Sequence, residues 1–453
     1  MATSRTMGEY SSPGARHLLA EKKLGRLLRR CLGPGQAVIP LAVANLLGRP
    51  PTRECDPMRK LWPGVLSFIL LPLVAPAQTE APYPQGKAFP LGLYSIETLE
   101  EMQREQPHGW NIAHTYGKQA EHQAVVKQAG WAGLAHLAKA AEEETKAMIE
   151  ALLGSGPVAW WDFPEEQRHW RADEYQIVKD LSAWTRKYDP QRHPNFMYLP
   201  GHYGAEAVAK YVPYLDIIGA GTYTEYAHMP RAWVRWRMEE TIRGIALAGA
   251  KIGPDYLAGE KTPIGIPMLF YRDGALDIIS SVEAYHDFYS CLAAGARGML
   301  VFSYWHKRDA DVLQKSYDAY AKGAAEVSGP EGLGQALLFG EDVPLTCEIT
   351  DGPERTYAFR PTGLKEDVSF PSVNVLGKRH QGKLFVIAVN SSERPVKAKL
   401  AGLPEGVPQL RLPFEKAPGP DGKPTDQPRT VKVEGGVAED SFGWLGVHVY
   451  VAP

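Results

Sequence analysis

The chain has 453 residues, 44% of them hydrophobic, and a formal net charge of −2. That length can fill a large barrel plus a smaller domain. Near-neutral charge argues against a polyanion-binding surface, so nucleic acid is not an expected partner. Four cysteines are too few for a disulfide scaffold.

Met58-Arg59-Lys60 opens a short basic region, followed by the apolar run Leu61–Val74 and the small-residue pattern Ala75-Pro76-Ala77. This order fits a secretory signal peptide over 58–77, with cleavage near Ala77, a mature start near Gln78 and a secreted or periplasmic location. The apolar run is short for a bilayer and contains Pro63 and Pro72, so no stable membrane span is expected in the mature chain. Residues 1–57 read as a spurious or discarded extension, the alternative being a cytoplasmic tail on a signal anchor. Cys31 and Cys55 fall before the mature start, and Cys291 and Cys347 are expected to be buried free thiols.

From Phe89 onward, short apolar runs alternate with amphipathic segments, the pattern of βα units around a parallel sheet. Strands are expected near Pro90–Ile96, Asn111–Tyr116, Gly133–Leu137, Val158–Asp162, Asn195–Pro200, Asp216–Tyr223, Pro263–Tyr271 and Gly298–Trp305, with helices between them. Eight such units give the size of a closed (β/α)8 barrel, here residues 78–329. The third strand is ambiguous, because Trp131–Ala141 also fits a helix start. Beyond Gly329 the pattern changes to strands and turns, among them Thr356–Arg360, Lys383–Asn390, Val396–Leu400, Thr430–Val433 and Gly446–Val451. A small antiparallel β-sandwich over 330–453 is expected, with the Pro/Gly-rich Leu403–Gln427 as a surface loop.

Active sites of such barrels lie at the C-terminal ends of the strands, and those ends are polar here. The fourth runs Val158-Ala159-Trp160-Trp161-Asp162-Phe163-Pro164-Glu165-Glu166, an apolar strand that breaks at a proline into carboxylates. Others end in His114-Thr115-Tyr116, Tyr198-Leu199-Pro200-Gly201-His202, Tyr223-Thr224-Glu225, Tyr271-Arg272-Asp273 and Tyr304-Trp305-His306. Any one of these also suits a half-buried rim residue or an ordinary helix start. Together they supply a carboxylate pair, Glu165, Glu166, Asp162 or Glu225, with His114, Tyr116, Trp161, Tyr198, His202, Tyr223, Tyr271, Tyr304, Trp305 and His306 as ligand contacts. The 11 Trp and 21 Tyr lean toward sugar binding, although core packing also uses them. Burial beside aromatics raises one carboxyl pKa while a polar network keeps another ionised, which is what glycosidic cleavage requires.

No Gly-x-Ser-x-Gly elbow, His-Glu-x-x-His pair or phosphate-cradling loop is present, and Gly219-Ala220-Gly221 lacks dinucleotide spacing. No cofactor is implied. His114, His202 and His306 have no metal-ligand spacing and read as hydrogen-bonders to substrate, so no metal is expected.

Trp160–Glu166, Phe302-Ser303-Tyr304-Trp305-His306 and the closing run Phe442–Tyr450 resemble secreted (β/α)8-barrel glycoside hydrolases that carry a C-terminal β-sandwich. The resemblance is one of layout over about residues 89–453 and singles out no particular family. It implies hydrolysis of a polysaccharide or oligosaccharide, with an acid/base after strand four. The superfamily's nucleophilic Glu on strand seven has no counterpart in Ile264–Tyr271, where the nearest acid is Asp273. A layout with Asp162 as nucleophile and Glu225 as acid is one reply. A non-catalytic carbohydrate-binding barrel and a polysaccharide lyase are the alternatives.

Overall fold

The computed structural model describes residues 80–271, 278–309, 311–419 and 421–453. The expected leader, and Arg272 and Asp273, lie outside those residues. Eight strands form one closed parallel barrel: β1 Leu91–Leu93, β2 Ile112–His114, β3 Ala132–His136, β4 Val158–Asp162, β5 Asn195–Leu199, β6 Ile217–Thr222, β7 Thr262–Pro267 and β8 Met299–Val301. Each pairs with the next, and β8 closes on β1 through Leu91 opposite Met299. The ambiguous third segment is a strand.

The strands are apolar throughout because both faces are covered. Ile112, Leu134, Trp160, Phe196, Ile217, Ile264 and Leu300 fill the barrel interior. The outer faces meet helices: α1 Leu99–Glu105, α2 Gln119–Ala129, α3 Glu142–Ser155, α4 Ala172–Tyr188, α5 Ala205–Tyr211, α6 Thr224–Ala227, α7 Ala232–Leu247, α8 Ser281–Ala293, α9 Tyr304–Asp309, α10 Gln314–Ser328 and α11 Leu333–Phe339. No helix among the described residues is long and apolar enough to cross a membrane. Gly219 and Gly221 serve packing: a Cβ at Gly221 would sit 2.5 Å from the Tyr198 ring, and one at Gly219 2.7 Å from Phe196. Two interior aromatics therefore lie flat against bare backbone.

The C-terminal segment is a nine-stranded antiparallel sheet curled over its own core. Its strands are β9 Glu341–Val343, β10 Thr346–Asp351, β11 Val373–His380, β12 Lys383–Asn390, β13 Val396–Ala401, β14 Gln409–Pro418, β15 Pro424–Glu434, β16 Val437–Phe442 and β17 Val447–Ala452. Two expectations are corrected here. Leu403–Gln427 is mostly hairpin, β14 pairing with β15, because Leu410 and Leu412 alternate into the core despite the flanking prolines. Thr356–Arg360 forms no strand; isolated bridges at Arg355 and Phe359 and a hydrogen bond from Thr356 N to Phe370 O hold it to 367–371.

Strand β12 is buried on both faces. Leu384, Val386 and Ala388 enter the sheet's own core, while Phe385, Ile387 and Val389 join the cluster under the barrel helices. Burying each such side chain stabilises by about 1.5–3 kcal/mol, so barrel and sheet share one apolar seam. A polar bridge crosses it where His286 Nε2 lies 2.8 Å from Ser391 Oγ. Cys291 is buried and Cys347 partly buried, and both are free thiols.

Candidate active site at the barrel mouth

Alternation along β4 decides which part of the Trp-Trp-Asp run faces the barrel axis. Trp160 packs inward with Phe196, and Trp161 turns outward into the cluster between barrel and helices. There the Trp161 indole N–H donates to Asp189 Oδ2 at 2.9 Å. Trp161 therefore packs on the helix side of β4, away from the barrel axis where it was expected. Asp162, next in line, points inward again and is fully buried.

Two histidines meet it. His136 Nδ1, at the end of β3, lies 2.7 Å from Asp162 Oδ2, and His114 Nε2, at the end of β2, lies 3.3 Å from the same oxygen. The second approach does not meet hydrogen-bond geometry, so both His114 nitrogens and Asp162 Oδ1 have no hydrogen-bond partner among the described residues. Burial opposes charge on His136, but the adjoining carboxylate outweighs it and the His136 pKa is raised. Burial likewise pushes Asp162 up, yet the His136 charge and the two imidazole contacts bring it below the usual carboxylate range. His114, more deeply buried, is lowered and stays neutral. The sum is a buried carboxylate held below its usual range by the close imidazole of His136.

Beyond Asp162, Pro164 and the left-handed backbone of Glu166 (φ 58°) turn the chain sharply. Glu165 is presented toward β2, where it accepts a hydrogen bond from Tyr116 Oη at 2.8 Å. Glu166 remains exposed. Glu165 has only partial contact with solvent, and its crowded surroundings together with the Asp162 charge push its pKa up to about 8, against the Tyr116 bond. Two acids three residues apart are thus driven in opposite directions by their environments, the arrangement acid/base chemistry uses.

An aromatic band lines the mouth. Tyr116 and Tyr94 pack on His114 at 4.4 and 4.5 Å. Tyr94 meets Phe302 at 5.2 Å, and Phe302 meets Tyr223, which stacks on Tyr198 at 5.4 Å. Phe270 continues the band to His306, whose ring touches Trp305. Of the expected contacts, His114, Tyr116, Tyr198, Tyr223, Trp305 and His306 therefore belong to one connected surface.

Tyr304, His202 and the expected acid Glu225 make their contacts outside that band. Tyr304 donates to Glu105 at 2.8 Å beneath the helices and packs on Tyr317. Tyr271 is half-buried against the same apolar cluster that Phe270 and Tyr223 border. His202 is exposed and rests on Tyr203. Glu225, on the short α6, forms an ion pair with Arg231, a buried guanidinium that also holds Glu283 at 2.9 Å and Asp287 at 2.7 Å. This cluster locks the loop after β6 to α8. A cavity of about 470 Å³ lined by Arg186, His193, Asp216, Tyr256 and Lys261 opens on the opposite, N-terminal side of the strands, away from these carboxylates.

His136, Tyr94, Phe270 and Phe302 were not among the candidates read from the sequence. His136 closes the ambiguous third strand, and its polar strand end is the signal that would have found it. The three aromatics look like ordinary core residues until the barrel closes around them.

No family model matches the chain, and no curated protein matches it in sequence. Several solved structures share its layout. A noncanonic maltogenic alpha-amylase from Thermotoga neapolitana aligns over 80% of this chain and 97% of its own, at 10% identity and TM-score 0.47. A family 51 alpha-L-arabinofuranosidase from Bifidobacterium longum aligns over 83% and 98%, at 10% identity and TM-score 0.46. A GH30 endoxylanase from Clostridium papyrosolvens C71 aligns over 83% and 97%, at 9% identity and TM-score 0.45. At such identities and scores the likeness is one of layout alone, and none of the chemistry below rests on it.

Proposed function

We propose that the protein is a glycoside hydrolase acting on a polysaccharide or oligosaccharide, with its reaction centre at Glu165 and Asp162. The observation that carries this reading is the opposed electrostatics of those two acids beneath an aromatic-lined mouth. Glu165, protonated at neutral pH, is the group that gives its proton to the glycosidic oxygen. Asp162, ionised, stabilises or attacks the anomeric carbon as positive charge develops there. Tyr116 sets the direction of the Glu165 carboxyl. Tyr223, Trp305 and His306 offer ring faces to sugars. Glu225 is held by Arg231 and takes no part in the reaction.

The complete burial of Asp162 favours a second reading, a barrel that binds glycans without cutting them. Incubation with a broad glycan panel, read by reducing ends and product masses, separates the two. Cleavage that disappears in Glu165→Gln and Asp162→Asn, both folded, supports hydrolysis. Cleavage undiminished in both variants removes these residues from the reaction. Glycan binding with no product selects the binding barrel, and ultraviolet-absorbing unsaturated products select a lyase. A secreted, processed form is part of this proposal, and N-terminal sequencing of protein from the medium or periplasm tests it.

A further inference from the structure

His114, His136 and Asp162 end three neighbouring strands, and their ligand atoms all lie within 4.8 Å of one another. Three features of the cluster point outward to a ligand. His114 is 1% exposed, yet neither of its nitrogens has a hydrogen-bond partner among the described residues. A buried imidazole in that state is left uncompensated for its lost hydration, a cost that a bound group would relieve. Asp162 Oδ1 is unpartnered as well. One spacing also matches a small cation: ligands of a tetrahedral zinc ion at about 2.0–2.1 Å sit about 3.3 Å apart. His114 Nε2 and Asp162 Oδ2 are 3.3 Å apart, and the 2.7 Å between His136 Nδ1 and Asp162 Oδ2 needs to open by about 0.6 Å to reach that spacing.

We propose that His114, His136 and Asp162 bind one divalent transition-metal ion of the zinc class, leaving a coordination position open. His136 is the cluster's most exposed member, so the open position lies on its side, toward the mouth. The ion displaces the direct contact between His136 Nδ1 and Asp162 Oδ2, which opens to admit it. Two imidazoles and one carboxylate form a borderline donor set that prefers Zn²⁺ or Co²⁺ to Mg²⁺ or Ca²⁺. Spacing in the sequence conceals the set, because each donor ends a different strand. Metal here neutralises the carboxylate that the proposed hydrolysis needs ionised, so the same ion suppresses that reaction. The binding claim itself does not depend on hydrolysis, since its readouts require no substrate.

The test uses the full chain stripped of metal by a chelator. Equilibrium dialysis against Zn²⁺ is expected to leave one ion per chain, and Co²⁺ titration to give the visible absorption of a low-coordinate site. His114→Ala and His136→Ala are each expected to weaken binding by about tenfold or more while the far-ultraviolet circular dichroism stays unchanged. If a variant fails to fold, the wild-type titration still decides: less than one ion bound, or a Co²⁺ spectrum of plain hexaaqua type, overturns the proposal. Binding retained in the folded double variant overturns it too, because the ion then sits elsewhere. A Zn²⁺-dependent fall in turnover that persists in that variant counts against the suppressive role, whereas absence of turnover in wild type bears only on the hydrolytic reading.

Discussion

The Tyr116 hydroxyl donates to Glu165 Oε1 at 2.8 Å, joining the end of β2 to the turn after β4. The bond favours the ionised carboxylate, while desolvation and the neighbouring Asp162 charge favour the acid and prevail. Tyr116→Phe removes one of the influences that lower the pKa, the other being His136. The alkaline limb of kcat/KM against pH is therefore expected to move upward from about 8. A limb that stays in place would assign it to another group.

Glu165 also links pH to stability. Its folded pKa of about 8 exceeds the unfolded value, so it binds its proton more tightly in the folded state. That contribution is complete below the unfolded pKa of about 4.3 and is lost as pH rises through the folded pKa. Glu165→Gln, which cannot ionise, is expected to melt higher than wild type above pH 8, by the equivalent of about 1–3 kcal/mol, and to converge with it at acid pH. Thermal denaturation across that range measures the crossing. Parallel curves would show that Glu165 is not shifted.

Trp161 faces the helices, where it bonds Asp189, an acid held down to about pKa 2 against its burial by His193 and the indole N–H. Trp161→Phe is expected to cost about 1–3 kcal/mol through the lost bond to a charged acceptor. It should leave kcat/KM on any glycan unchanged. A change in specificity without loss of stability would place the ring in the mouth after all.

Arg231 concentrates the buried charge between the β6 loop and α8. Replacing it with Met removes the guanidinium that Glu225, Glu283 and Asp287 share. The expected loss is about 3–5 kcal/mol at neutral pH, the range for breaking a buried ion pair from one side. Chemical denaturation of wild type and variant at neutral pH measures the difference.

Deleting residues 341–453 uncovers the face of α8 now packed on Phe385, Ile387 and Val389. The remaining barrel is expected to aggregate, since a newly exposed apolar patch of several side chains has no other cover. Size-exclusion chromatography of the truncated chain detects it; a monodisperse barrel would mean the seam is dispensable.

Eight apolar runs at βα spacing and the change of pattern past Gly329 were enough to specify barrel and sheet, because hydrophobic periodicity is a local property that survives without contacts. The run ending Asp162-Phe163-Pro164-Glu165-Glu166 likewise announced carboxylates at a strand end. Which of two adjacent tryptophans faces the axis was not legible, since one residue of register inverts every side chain and register is set by neighbouring strands. Glu225 and Glu165 look alike as strand-end acids. Only the closed barrel puts Glu225 beside Arg231 and Glu165 beside Asp162, one neutralised by a cation and the other held protonated by an anion. The pairing of Asp162 with His136 and His114 belongs to tertiary structure for the same reason: closure of a parallel sheet aligns the ends of β2, β3 and β4, which lie more than twenty residues apart in the chain.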